Sequence, residues 1–83
     1  MNEQERILCA AILYDNVLIA GHRHNDCIQS ILAFRPDAKI SQKMQGFLTS
    51  KNRFVGRDIA ASIAWKAGQL KKQTSFLLSE DLY

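Results

Sequence analysis

Proline occurs once in these 83 residues, glycine four times and cysteine twice. So little Pro and Gly excludes a low-complexity or collagen-like chain. Two cysteines are too few to staple a small secreted scaffold. Cys9 and Cys27 therefore read as free thiols of a reducing compartment, where a small buried Cys behaves as a hydrophobe. The longest apolar stretch, Ile7 to Tyr14, is far short of the roughly 18 to 20 residues that a membrane span needs. The opening residues, Met1 to Arg6, are polar and mixed in sign, unlike a signal or transit peptide, so a cytoplasmic location is expected. Charge of one sign is scarce too: 11 Lys+Arg against 8 Asp+Glu leave +3, which argues against nucleic acid as the partner. What is present is 47% hydrophobic residues, too many for a disordered chain. The length suits one domain over residues 1–83, because domains are rarely smaller than about 50 residues.

The order of elements follows from periodicity. Ile7 to Tyr14 and Val17 to Gly21 are apolar runs split by Asp15-Asn16, the pattern of a β-hairpin. The first run shows no clean alternation, so both of its faces need cover, and a homo-oligomer is expected. From Cys27 the spacing becomes helical, with Cys27 or Ile28, Ile31, Leu32 and Phe34 on one face. Asn25 is the expected N-cap, Asp26 suits the first turn, and Pro36 ends the helix near Phe34. A polar connector leads to a third strand over Lys43 to Thr49, in which Gly46 marks a bulge or a close backbone approach. After the Ser50 to Arg53 turn, Phe54-Val55 is a short extended piece. Gly56 then caps a second helix whose stripe is Ala60, Ile63, Ala64 and Ala67, widened by Ile59, with Trp65 off it. Gly68 and Lys71-Lys72 suit its C-terminus. The expected fold is α+β, a small antiparallel sheet with two helices packed on it, in the order β-β-α-β-α. The segment from Phe76 to Tyr83 is too apolar for a free tail, and it is expected to dock on a neighbour or over a cleft.

Chemistry-bearing patterns are sparse. Cys9, Cys27, His22 and His24 could be gathered around a metal, but their spacing fits no common zinc pattern. Cys27 with His24 is no recognised nucleophile frame. No phosphate-loop, nucleophile-elbow or zinc-protease motif occurs, so no catalytic residue, metal or cofactor is assigned. The recurring feature is a cation beside an aromatic near a turn: Arg23, Phe47 after Gly46, and Asn52-Arg53-Phe54 leading to Arg57. Arginine forks match phosphate oxygens and aromatic faces stack on bases, so these are components of a nucleotide pocket.

The succession Gly21 to Ile28, then Gln45 to Arg57, then Ala64-x-x-Ala67-Gly68-Gln69 and the ending Ser79-Glu80-Asp81-Leu82-Tyr83 resembles small phage proteins. In particular it is similar to the Thoeris anti-defence proteins, the phage sponges of anti-Thoeris family one. The resemblance implies a protein of the infected bacterial cytoplasm that binds a cyclic ADP-ribose isomer made by a bacterial TIR enzyme and holds it without cleaving it. It implies dimers or higher oligomers with the signal bound between subunits, some of which also hold cyclic oligonucleotides at a second site. On the matching positions, Arg23 and Arg57 would grip the diphosphate and Phe47 or Phe54 would stack on adenine. Asn52, Gln45 and His24 would bond ribose or base edges. The connector between Phe34 and Lys43 is short for that family.

Three other readings compete. A hydrolase of such nucleotides would use His22 or His24 as general base. A nucleic-acid accessory protein would use Lys39, Lys43, Lys51, Arg53, Arg57, Lys71 and Lys72, with steep salt dependence. A small interaction module would bind a host protein through the apolar strand and the Phe-Leu-Leu tail.

Overall fold

The computed structural model describes residues 4–82; Met1 to Glu3 of the leader reading and the terminal Tyr83 lie outside the described residues. Strands β1 (Ile7–Tyr14) and β2 (Val17–Gly21) form the hairpin, with Tyr14 opposite Val17. Asp15 and Asn16 both carry positive φ, 51° and 63°, as a two-residue turn of the type I′ kind requires. Asn and Asp tolerate that region better than other side chains, which is why this dipeptide can close the hairpin. Helix α1 (His24–Phe34) follows, then a 3₁₀ turn at Gln42–Met44, strands β3 (Gln45–Thr49) and β4 (Phe54–Gly56), and helix α2 (Arg57–Lys66). The sheet is antiparallel throughout, in the order β2-β1-β3-β4.

The α+β class and the antiparallel sheet are those expected from the sequence. The extended Phe54-Val55 piece is a fourth strand, Phe54 pairing with Leu48 and Val55 with Phe47, so the order is β-β-α-β-β-α. Boundaries differ in two places. Helix α1 starts before Asn25, with Arg23 as its N-cap residue, because the Asp26 carboxylate accepts the Arg23 N–H at 3.0 Å and closes the first turn around it. Lys43 and Met44 belong to the 3₁₀ turn rather than to β3.

Both helices pack on one face of the sheet. Ala10 and Ile12 of β1, Phe47 of β3 and Val55 of β4 meet Cys27 and Ile31 of α1 and Ala60 and Ala64 of α2 in a single apolar cluster. The small alanines let α2 approach closely. The buried stripes are narrower than the spacing suggested: Phe34 is 60% exposed and Ile59 51%. The opposite sheet face carries Cys9, Leu13, Leu18, Leu48 and Phe54, because strand side chains alternate and Ala10 and Phe47 point to the helices. Ala20, Ala11, Gly46 and Gly56 form one row of small residues across all four strands. Gly46 has no room for a side chain: a Cβ would collide with the Val55 carbonyl and come within 2.7 Å of the Phe54 ring. The close backbone approach, rather than a bulge, explains this glycine.

Helix α2 ends in a Schellman motif. Gly68, at φ 74°, donates to the Trp65 carbonyl (3.1 Å), and Gln69 N–H donates to the Ala64 carbonyl (2.8 Å). The reversal delivers the Gln69 side chain to the start of β1. Its Oε1 accepts the Ile7 N–H (2.7 Å) and its Nε2 donates to the Ile7 carbonyl (2.8 Å). Gln69 thus stands in for one residue of a neighbouring strand. Gln69→Ala leaves both groups unsatisfied and is expected to cost about 2 kcal/mol, at about 1 kcal/mol per net hydrogen bond. Urea denaturation of the variant checks this, and wild-type stability would show that water replaces the side chain without loss.

Candidate functional site

Arg57 opens helix α2, directly after β4, so the sheet end and the helix start fix its backbone together. Its side chain turns inward and is 7% exposed. Nη2 donates to Gln45 Oε1 at 2.8 Å, and Nη1 donates to the Leu77 carbonyl at 3.0 Å. Nε is buried without any hydrogen-bond partner. The guanidinium carbon lies 5.9 Å from the Phe47 ring centre and 5.5 Å from that of Phe76. Among the described residues no carboxylate comes within ion-pair distance of it. Burial lowers its pKa from the ordinary value, an effect that the charge of Glu80 opposes.

His24 stands beside it at the first position of α1, 6% exposed and edge-on to the Phe47 ring at 4.8 Å. Its Nε2 lies 2.7 Å from the Gly46 carbonyl, which can only accept, so Nε2 carries the proton. Nδ1 is then the acceptor for the Ser79 hydroxyl at 3.2 Å. Burial lowers the His24 pKa most, the Gly46 bond raises it, Arg57 lowers it and Glu80 raises it. The imidazole is neutral in this arrangement, with both nitrogens occupied.

The C-terminal segment completes the cluster. Leu77 is fully buried in the core; its N–H donates to the Arg57 carbonyl (3.0 Å) while its own carbonyl takes the Arg57 side chain. A 3₁₀ turn at Ser79–Asp81 closes when the Asp81 carboxylate accepts the Leu78 N–H. The docking expected for this segment is thus onto the same chain, over His24 and Arg57. Phe76, Leu77 and Ser79 were not legible as site residues. The apolar character of Phe76 and Leu77 marked the segment as docked, and nothing in it named the target.

Of the residues singled out in the sequence, the structure brings His24, Gln45, Phe47 and Arg57 together. Phe47 is fully buried, against His24 and Arg57. Arg23 is exposed at the N-cap of α1, next to His24 in the chain. Asn52 sits in the β3–β4 turn with φ 61°, at the far end of the strand from Gln45. Phe54 lies on the opposite face of the sheet, over Gly46. Cys9 and Cys27 are free thiols, and burial pushes Cys27 up to about 11. Among the described residues no three His, Cys, Asp or Glu side chains gather as metal ligands, and no helix is long and apolar enough to cross a membrane. Open clefts flank the fold. One, of about 610 Å³, lies between Gln69–Thr74 and Glu80–Leu82; another, of about 720 Å³, is lined by Lys51, Arg53 and Lys66.

Against known proteins, the family model of the phage T4 y16D protein matches residues 6–83. The chain belongs to the phage T4 y16D protein family. That match takes in β1, both helices and the C-terminal segment over Arg57, so the whole cluster lies inside the y16D family region. No curated protein and no solved structure matches the chain.

Two titrations follow from these environments. The folded protein resists protonating His24, so its stability contribution is full above the ordinary value of 6.5 and is lost as pH falls below it toward the lower folded value. Glu5 is held near 2 by hydrogen bonds from Arg53 and Thr49, so its contribution persists to about 4.5 and is lost between 4.5 and about 2. Urea midpoints measured across pH are expected to fall in both windows. His24→Gln is expected to flatten the upper one alone, and an unchanged upper slope would mean that His24 does not carry it.

Proposed function

We propose that this y16D family protein is a phage anti-defence sponge, which binds a cyclic ADP-ribose-type signal of a bacterial TIR enzyme and sequesters it uncleaved. The observation that supports this most is Arg57. An ion taken out of water costs several kcal/mol unless a partner charge offsets it. Here the nearest groups are a carbonyl, an amide and two aromatic rings, and Nε has none. A guanidinium so held is an unfilled half of an ion pair, and its fork suits the two oxygens of a phosphate. Gln45, half-buried at the edge of the cluster, adds an amide that can bond ribose or base edges.

Retention without cleavage agrees with the state of His24. A general base needs a free nitrogen within reach of a water or hydroxyl, and both imidazole nitrogens are already bonded inside the protein. Sponge function needs only tight, slow release.

Retention of the signal from a TIR cyclase reaction is the direct test. The purified protein is mixed with the products and filtered, and the protein fraction is heated. Intact nucleotide is expected in the heated fraction; a hydrolysed product would mean an enzyme instead. Arg57→Lys keeps the charge but loses the fork, and Arg57→Ala removes both. The alanine variant is expected to bind about 1.5 to 3 kcal/mol more weakly. Wild-type retention by a less stable Arg57→Ala protein would make the guanidinium a strut for the C-terminal segment and nothing more.

Copies of the chain are proposed to associate as a homo-oligomer. The open sheet face supports this: Leu13 and Leu18 are 40% and 39% exposed beside Cys9, Leu48 and Phe54, with neither helix covering them. Sedimentation is expected to show an oligomer that Leu18→Asp dissociates. A wild-type monomer would remove this part of the proposal.

A further inference from the structure

Phe76 is the aromatic ring best placed to recognise a ligand at Arg57. Of the aromatic side chains, Phe47 touches the guanidinium but is fully buried, and Phe54 lies on the other face of the sheet. Phe34 and Trp65 are exposed, yet Phe34 borders the β1–β2 hairpin and Trp65 lies on the solvent side of α2. Among the described aromatic side chains, Phe76 alone combines contact with the cation, 5.5 Å from ring centre to guanidinium carbon, with a surface that is 49% open to solvent.

Its backbone is held on both sides. Thr74 Oγ1 accepts the Phe76 N–H (3.4 Å) and donates to the Phe76 carbonyl (3.3 Å). The next residue, Leu77, is tied to Arg57 twice, through its N–H to the Arg57 carbonyl and through its own carbonyl to Nη1. The buried Leu77 side chain anchors the same point in the core. A ring carried on a fixed backbone loses less conformational freedom on binding, which favours recognition of a flat partner. Beside it, Thr74 also lines the cleft of about 610 Å³, which leaves room for the remainder of a ligand and carries Lys71 and Lys72 on its wall.

We propose that Phe76 is the specificity-determining residue of this site: its open face stacks on the purine ring of a nucleotide whose phosphates are drawn to Arg57 beneath. The cation under the ring and the base above it form a three-layer stack, in which every purine has a usable π-face. This rests on the reading of Arg57 as an anion-binding group, and it adds a division of labour. Arg57 selects for phosphate, and Phe76 selects for a base attached to it.

Calorimetric titration with two probes, ADP and inorganic pyrophosphate, separates the two roles, with the TIR cyclase product as a third titrant. Phe76→Ala is expected to weaken ADP and the cyclase product by about tenfold or more while leaving pyrophosphate within about twofold. Phe76→Trp is expected to restore ADP binding, and Arg57→Ala to weaken all three. Equal loss of ADP and pyrophosphate in Phe76→Ala would show that the ring only steadies Arg57 and would overturn the proposal. So would undiminished binding of ADP and the cyclase product. A wild-type protein that binds none of the three would instead overturn the anion-binding reading on which it rests. Unchanged thermal unfolding of Phe76→Ala, expected for a half-exposed ring, keeps these outcomes free of a folding artefact.

Discussion

A guanidinium withdrawn from water dictates the arrangement of much of its surroundings, and in this protein that guanidinium belongs to Arg57. Its fork reaches β3 through Gln45 and the C-terminal segment through Leu77, while Phe47 and Phe76 stand within reach of its charge. Two separated stretches of chain, β3 and the C-terminal segment, therefore converge on one cation. The Leu77 side chain secures the last of them by burial, and the Ser79 hydroxyl secures it again at His24. Removing the charge would relieve an unmatched ion and at the same moment release the end of the chain. On the proposed function, stability and ligand binding would be coupled through one side chain, and only measurements that read both would separate them.

The rest of the fold serves to place this cluster. The β3–β4 pairing brings Gln45 and Gly46 alongside Gly56, and the chain turns at once from Gly56 into α2, so Arg57 has to emerge at the sheet end. Helix α1 begins at the same end because β2 finishes at Gly21 and His24 is the first helical residue. Gly46 matters twice over: its missing side chain admits the Phe54 ring, and its carbonyl sets the His24 tautomer. At the other end of the sheet, Glu5 with Arg53 and Gln69 with Ile7 fasten the start of β1. The two ends differ: one fastens the chain with matched pairs, and the other leaves the buried Arg57 Nε without a hydrogen-bond partner.

Membership of the phage T4 y16D protein family gives the cluster a setting without giving it a ligand. The proposed nucleotide ligand rests on the chemistry of a buried guanidinium beside a half-exposed aromatic ring. It is consistent with the mild positive charge of the chain, +3, which suits a small phosphorylated molecule better than a polyanion.

Much of the architecture was legible because its causes are local. Asp15-Asn16 closes a hairpin through backbone conformations these residues tolerate, Pro36 and Gly68 end helices, and the Ala60, Ile63, Ala64 spacing describes a buried face. The motif Ala64-x-x-Ala67-Gly68-Gln69 looked like a helix end and is one. That its glutamine completes the first strand depends on a pairing 62 residues apart, which no local pattern encodes. The candidate site divides in the same way. Arg57, Gln45 and His24 were recognisable by residue type, because few side chains can bind phosphate or a base edge. Tertiary structure alone decided that Phe47 would be buried, that Phe54 and Asn52 would lie away from Arg57, and that Phe76 would cover the cation. Exposure and the facing of rings are settled by how sheet, helix and chain end pack together, and a sequence carries that information only through the energy of the whole fold.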